Sequence, residues 1–385
     1  MTARAGGLRV VQVLLAERLF DGERVLNDIP VSINADGRVA AIGGDVPATG
    51  AECLPGTLAP GLIDVQVNGG GGALFNNELT VASLQKMAGA HAGFGTTGML
   101  PTLITDEVEV MQRAADAIST ALRKKIPGII GVHFEGPHLS TPKKGTHEAR
   151  FIRGLSQAEL DIYARDDLGV KVVTLAPENV APEDIRKLVS LGVHVCLGHS
   201  NADGATTAAA LEAGASGFTH LYNAMSPLQS REPGVVGTAL ISDDAWCGLI
   251  VDGHHVCADA IRLALKAKPR GKLMLVTDAM SLVGSEETSF PLFERMVTRE
   301  GDKLTSTTGE LAGSHLDMIG AVRNIRDWCD VPLEEALRMA SLYPATFLSV
   351  EGGRLEVGAP ADMILLDSEL QVRRTWISGR EVHSV

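Results

Sequence analysis

The middle of this chain carries eight short apolar runs of β type, with helical stretches between most of them. The candidate strands are Leu62–Val67, Thr97–Leu100, Gly128–Phe134, Lys171–Leu175, Val193–Leu197, Gly217–Thr219, Trp246–Val251 and Lys272–Thr277. Helix signals fall between them. Thr80 caps a run to about His91, Thr105 caps one to about Lys125, and Pro182 takes a first helical position with Gly192 closing that helix. Further helical stretches are Thr206–Ala213, Ala258–Ala267, Leu316–Trp328 and Leu333–Leu348. Eight strands with helices between them match a (β/α)8 barrel of the α/β class. A doubly wound sheet has the same local pattern, so periodicity alone leaves both open.

The two ends read differently. Residues 8–15, 24–33 and 38–43 are β-type runs broken by the turn dipeptides Asp21-Gly22 and Asp36-Gly37. Asp362–Leu366 and Val372–Ile377 are β-like at the other end. We expect the ends to meet as one small β-sandwich domain, residues 1–58 plus 352–385, beside a barrel over 59–351. Two independent decorations are the alternative.

Bulk properties narrow the function. Apolar residues make up 45% and charged ones 21% of 385 residues, the balance of a globular protein. A formal charge of −13 argues against a nucleic-acid surface, yet a few local cations can still hold a small anion. The five cysteines are dispersed without a CxxC pair, which fits reduced thiols in the cytoplasm. Arg4 precedes an apolar run from Leu8 to Leu15, but Arg9 and Gln12 interrupt it, so neither a leader nor a membrane span of ~20 residues is expected.

Four of the strands run directly into chemistry. One leads to Glu135, one to His199, one to His220 and one to Asp278. In a barrel all carboxyl ends of the strands open on one face, where active sites are built. Two imidazoles and a carboxylate suit a single divalent metal with an open position, whose bound water would have a pKa near 7. Asp278 could then take the water's proton and return it to a leaving group. Singly, each residue has a duller reading: a structural histidine, a solvated loop acid, a helix cap. Four at four strand ends make the joint dull reading the weaker one. His133 shares strand parity with Glu135 and is expected behind the site.

These segments resemble the N-acetylglucosamine-6-phosphate deacetylases of the amidohydrolase superfamily over nearly the whole chain. The resemblance rests on Pro60-Gly-Leu-Ile-Asp64, His133-Phe-Glu-Gly-Pro137, Lys143-Lys-Gly-Thr-His147, Gly198-His-Ser200, Thr219-His-Leu-Tyr-Asn-Ala-Met225, Asp252-Gly-His-His-Val256 and Leu311-Ala-Gly-Ser314. It implies a barrel with a small β-sandwich from both ends, usually a homodimer. It implies metal ligands at Glu135, His199 and His220, and a catalytic acid–base at Asp278. Sugar-phosphate contacts are implied at Thr146, His147, Asn223, Ala224, Arg231, His255, Leu311, Ala312 and Gly313, with His147 also orienting or stabilising the acetyl oxygen. Arg231 and His255 match the phosphate positions, one of them supplied by a neighbouring subunit. Zinc is the expected metal, although iron, manganese and cobalt accept the same donors.

One departure matters. Many amidohydrolases carry His-x-His after the first strand, whereas this chain has Gln66-Val-Asn68. Amides bind transition metals poorly, so one metal is expected, with Gln66 and Asn68 as hydrogen-bonding neighbours. Dihydroorotase-like and dipeptidase-like hydrolases usually keep the missing pair. A silent scaffold barrel would lose ligands that are present here.

Overall fold

The computed structural model describes residues 10–44, 46, 50–307 and 309–385. The part of the leader reading that falls on residues 4–9 lies outside the described residues, as does the start of the first β run.

Eight parallel strands form the central sheet in strict chain order: β1 (Leu62–Val67), β2 (Thr96–Ile104), β3 (Gly131–Glu135), β4 (Val170–Leu175), β5 (Val193–Leu197), β6 (Gly217–Phe218), β7 (Trp246–Leu249) and β8 (Leu273–Leu275). The seam between β8 and β1 closes just beyond the strand ends. Asp278 N donates to Gln66 O at 3.0 Å, and Asn68 N donates to Ala279 O at 2.9 Å. Below them the buried Asp64 carboxylate accepts from Thr277 Oγ1 at 2.5 Å. That closure selects the barrel over the doubly wound sheet.

Sequence explains the outer layer. Val108–Arg123 buries Met111, Ala114, Ala115, Ile118 and Ala121, a stripe at helical spacing laid on the barrel. Val81–Ala92 starts in a capping box of Thr80 and Ser83. The second helix begins at Val108 after Glu107, not at Thr105, whose hydroxyl is committed elsewhere. The expected helix Leu333–Leu348 is two, Leu333–Ala340 and Leu342–Leu348. Ser341 leaves helical geometry at the break, and Pro344 in the second helix cannot donate a backbone hydrogen bond. Helices at Gln157–Tyr163 and Gly234–Ile241 went unanticipated, being short and, in the second case, apolar all round.

Both chain ends enter one eight-stranded sheet, in which Glu52–Pro60 pairs with Val10–Phe20 on one side and Met363–Leu366 on the other. Its own apolar core includes Leu14, Ile33, Leu58, Met363 and Trp376. Glu52–Pro60 was missed because two prolines and a glycine obscure its period. A three-stranded antiparallel sheet, Ser289–Leu292, Arg295–Glu300 and Lys303–Ser306, is inserted after β8 and was also missed. No helix among the described residues is long and apolar enough to cross a membrane.

Trp376 is fully buried in the terminal sheet's core. Trp376→Ala should cost about 3–5 kcal/mol in urea unfolding, the usual price of truncating a large buried ring. An unchanged unfolding midpoint would contradict this packing.

Candidate active site

Glu135 is the last residue of β3, and His199 and His220 follow β5 and β6 by two residues. Asp278 follows β8 by three. The backbone turns sharply there: His199, His220, Tyr222, Ala224 and Asp278 have φ of 47°, 35°, 79°, 50° and 53°. Left-handed geometry at non-glycine residues costs about 1–3 kcal/mol each and persists where the surroundings impose it. Here the turns swing the side chains over the barrel mouth.

Three atoms converge. His220 Nε2 lies 3.0 Å from Glu135 Oε1, His199 Nε2 lies 3.3 Å from the same oxygen, and the two Nε2 atoms are 3.0 Å apart. His199 Nδ1 donates to the Lys143 carbonyl at 2.8 Å, which orients the ring with Nε2 toward the cluster. All three residues are buried and their ligand atoms fall within 4.8 Å of one another. Donors at about 2.1 Å from one tetrahedral ion stand about 3.4 Å apart. The donor set therefore fits one divalent cation. Burial opposes ionisation of Glu135, yet the two imidazoles hold its carboxyl well below the usual range.

Asp278 stands beside this cluster. Asn68 Nδ2 donates to its Oδ1 at 2.6 Å, and Gln66 Nε2 bridges that oxygen at 3.2 Å and Glu135 Oε1 at 3.0 Å. Oδ2 is left without a hydrogen bond among the described residues. Burial, and then the nearby Glu135 charge, push the Asp278 carboxyl up to about 6.

His147 faces the cluster from the loop after β3, with its ring 4.4 Å from that of His199. The Thr105 amide, which can only donate, meets His147 Nδ1 at 3.3 Å, and Thr105 Oγ1 lies 2.7 Å from it. Nδ1 is thus an acceptor and Nε2 carries the proton. Burial, reinforced by His199, holds His147 well below its usual value and keeps it neutral. The result is a buried N–H donor beside the cluster.

The cavity over these groups measures ≈ 180 Å³. Of the residues expected to contact a sugar phosphate, Thr146, His147, Asn223, Ala224, His255, Leu311 and Gly313 line it. Ala312 does not; it is buried in the apolar cluster behind. Arg231 is exposed, stands outside the lining and has no ion pair among the described residues. Of the adjacent pair, His255 faces the cavity, its Nδ1 2.6 Å from Asp252 Oδ2, while His254 Nε2 meets Asp302. His133 bonds to Val65 O and Thr174 Oγ1 inside the barrel, behind the site. Residues that sequence reading missed are Thr105, the Lys143 carbonyl, Ile104, Ile250 and Met280. Apolar strand ends and backbone groups carry no chemical signature in a sequence. A larger cavity of ≈ 670 Å³, against Leu273, Val331 and Met339, holds no cluster of metal-ligating groups among the described residues.

Residues 57–382 match the family model described as the amidohydrolase family. The chain belongs to the amidohydrolase family. Among relatives, it is 52% identical to an N-acetylgalactosamine-6-phosphate deacetylase of Shewanella sp. (strain ANA-3), over 84% of this chain and 82% of that one. It is 36% identical to the N-acetylglucosamine-6-phosphate deacetylase of Vibrio furnissii, over 95% and 94%. The solved N-acetylglucosamine-6-phosphate deacetylase of Pasteurella multocida superposes with a TM-score of 0.92 at 35% identity, over 96% and 99% of the two chains. The resemblance read from the motifs thus holds within the family, whose members are metal-dependent hydrolases.

A reaction that needs the Asp278 anion slows as pH falls through that group's pKa. The Asn68 hydrogen bond favours the anion and so lowers this pKa. Asn68→Ala should therefore move the acid limb of kcat/KM to higher pH. A limb that stays in place or moves down contradicts the assignment.

Proposed function

We propose that the chain hydrolyses N-acetylglucosamine 6-phosphate to glucosamine 6-phosphate and acetate, in amino-sugar metabolism. The observation that carries this reading is the convergence of Glu135, His199 and His220 beside a neutral His147 N–H and an Asp278 oxygen that has no hydrogen bond among the described residues. Glu135, His199 and His220 would hold one divalent cation, zinc in our reading, which supplies Lewis acidity and makes a coordinated water acidic at neutral pH. His147 Nε2 donates to the acetyl oxygen and stabilises charge there as the carbonyl is attacked. Asp278 Oδ2 takes a proton from the attacking water and delivers it to the departing amine. Gln66 and Asn68 fix Oδ1, so that Oδ2 faces the substrate.

The phosphate end falls to His255, oriented by Asp252, and to Arg231. An exposed Arg231 outside its own subunit's cavity supports a homodimer in which the partner's copy completes the site. The guanidinium fork suits phosphate oxygens. We place the enzyme in the cytoplasm, consistent with five free cysteines.

The 4-epimer, N-acetylgalactosamine 6-phosphate, is the second reading, favoured by the name of the 52%-identical relative. Acetate release from both sugars decides between them. The account predicts release from at least one, abolished by chelation and restored by zinc. Release that survives complete chelation contradicts it. Asp278→Asn should lower kcat by about 10²–10⁴-fold with substrate binding retained, the scale of a lost acid–base group. Near-normal turnover in that variant removes Asp278 from the role.

A further inference from the structure

We propose that Ile104 and Met280 form the wall on which the acyl methyl of the substrate packs, and that they limit the enzyme to acetyl-sized groups. The proposal rests on the deacetylase reading above. Both side chains are 6% exposed or less, both line the ≈ 180 Å³ cavity, and both belong to one apolar cluster with Leu74, Phe290 and Ala312. Their positions are tied to the reacting groups. Ile104 ends β2 directly opposite Glu135 in the β2–β3 register, and the next residue, Thr105, holds His147. Met280 lies two residues beyond Asp278, and its amide is fixed to Ser314 O at 3.0 Å. A Cβ at Gly313 would come within 2.5 Å of Met280 Cγ, so only glycine there lets Met280 occupy its place.

The direction of the methyl follows from the amide itself. A planar trans amide puts the carbon on nitrogen and the carbon on the carbonyl at opposite ends of the C–N bond. The sugar, on nitrogen, extends toward Asn223, Ala224 and His255, which follow β6 and β7. In an eight-stranded barrel the strand four places from β6 is β2, on the far side of the mouth. With the oxygen claimed by His147 and the amine by Asp278, the methyl is left facing Ile104 at the end of β2, and Met280, which packs in the same apolar cluster and lines the same cavity, completes the wall. Behind them stand the buried side chains of Leu74, Leu282, Phe290 and Leu304, against which an extra methylene would press.

The test compares kcat/KM for the N-acetyl, N-propionyl and N-butyryl derivatives of the hexosamine 6-phosphate that the wild type deacetylates. One methylene in an apolar pocket changes rate by about 10–200-fold, so the wild type should lose about that much from acetyl to propionyl. Met280→Ala should raise the propionyl-to-acetyl ratio about 10-fold or more. Ile104→Val, a smaller change that guards against misfolding, should raise it in the same direction. Ile250→Val, on the β7 side, should leave the ratio at its wild-type value. A wild type that accepts propionyl as well as acetyl overturns the proposal, as does an unchanged ratio in both Met280→Ala and Ile104→Val. Failure of the wild type to deacylate any of these sugars overturns the deacetylase reading instead, and this proposal with it.

Discussion

Two imidazole nitrogens and a carboxylate oxygen stand within 3.3 Å of one another in a buried pocket, the spacing of donors arranged around one divalent cation. The rest of the architecture answers to that convergence. Three separate strands deliver the three residues, and strained turns after two of them aim the rings inward. A loop carbonyl fixes one tautomer. The barrel provides what such a cluster needs, namely strand ends that meet at one mouth on a rigid frame.

Around the cluster, polarity is divided by task. Asp278 is buried enough to be pushed up to about 6, yet two amides hold one of its oxygens and leave the other open. Gln66 and Asn68 thus tie Asp278 to the Glu135 cluster through one shared oxygen. His147 is kept neutral by burial, and Thr105 decides which of its nitrogens carries the proton.

Much of this was legible in the sequence because the polar residues sit where periodic apolar runs stop. All eight barrel strands and the four residues at their ends could be read that way, whereas His255 was picked out by the resemblance alone. The missed features share a physical reason. Thr105 looks like a helix cap by type, and only tertiary contact commits its hydroxyl to His147. The three-stranded sheet after β8 mixes charged and apolar residues with short turns, so no period emerges. Ile104 and Met280 read as ordinary core until the barrel closes and leaves them at the edge of a cavity. Arg231 is the opposite case: its chemistry suits phosphate, but it stands exposed outside the pocket lining.

The central claim is a single cation held by Glu135, His199 and His220. Its most direct measurement is the metal content of the purified protein, by elemental analysis, alongside a double variant with Glu135→Gln and His199→Asn. One tightly held ion per chain in the wild type, absent from a variant that still folds, is the predicted result. A wild type that binds no ion from zinc-containing buffer, or a variant that retains a full equivalent, would contradict it.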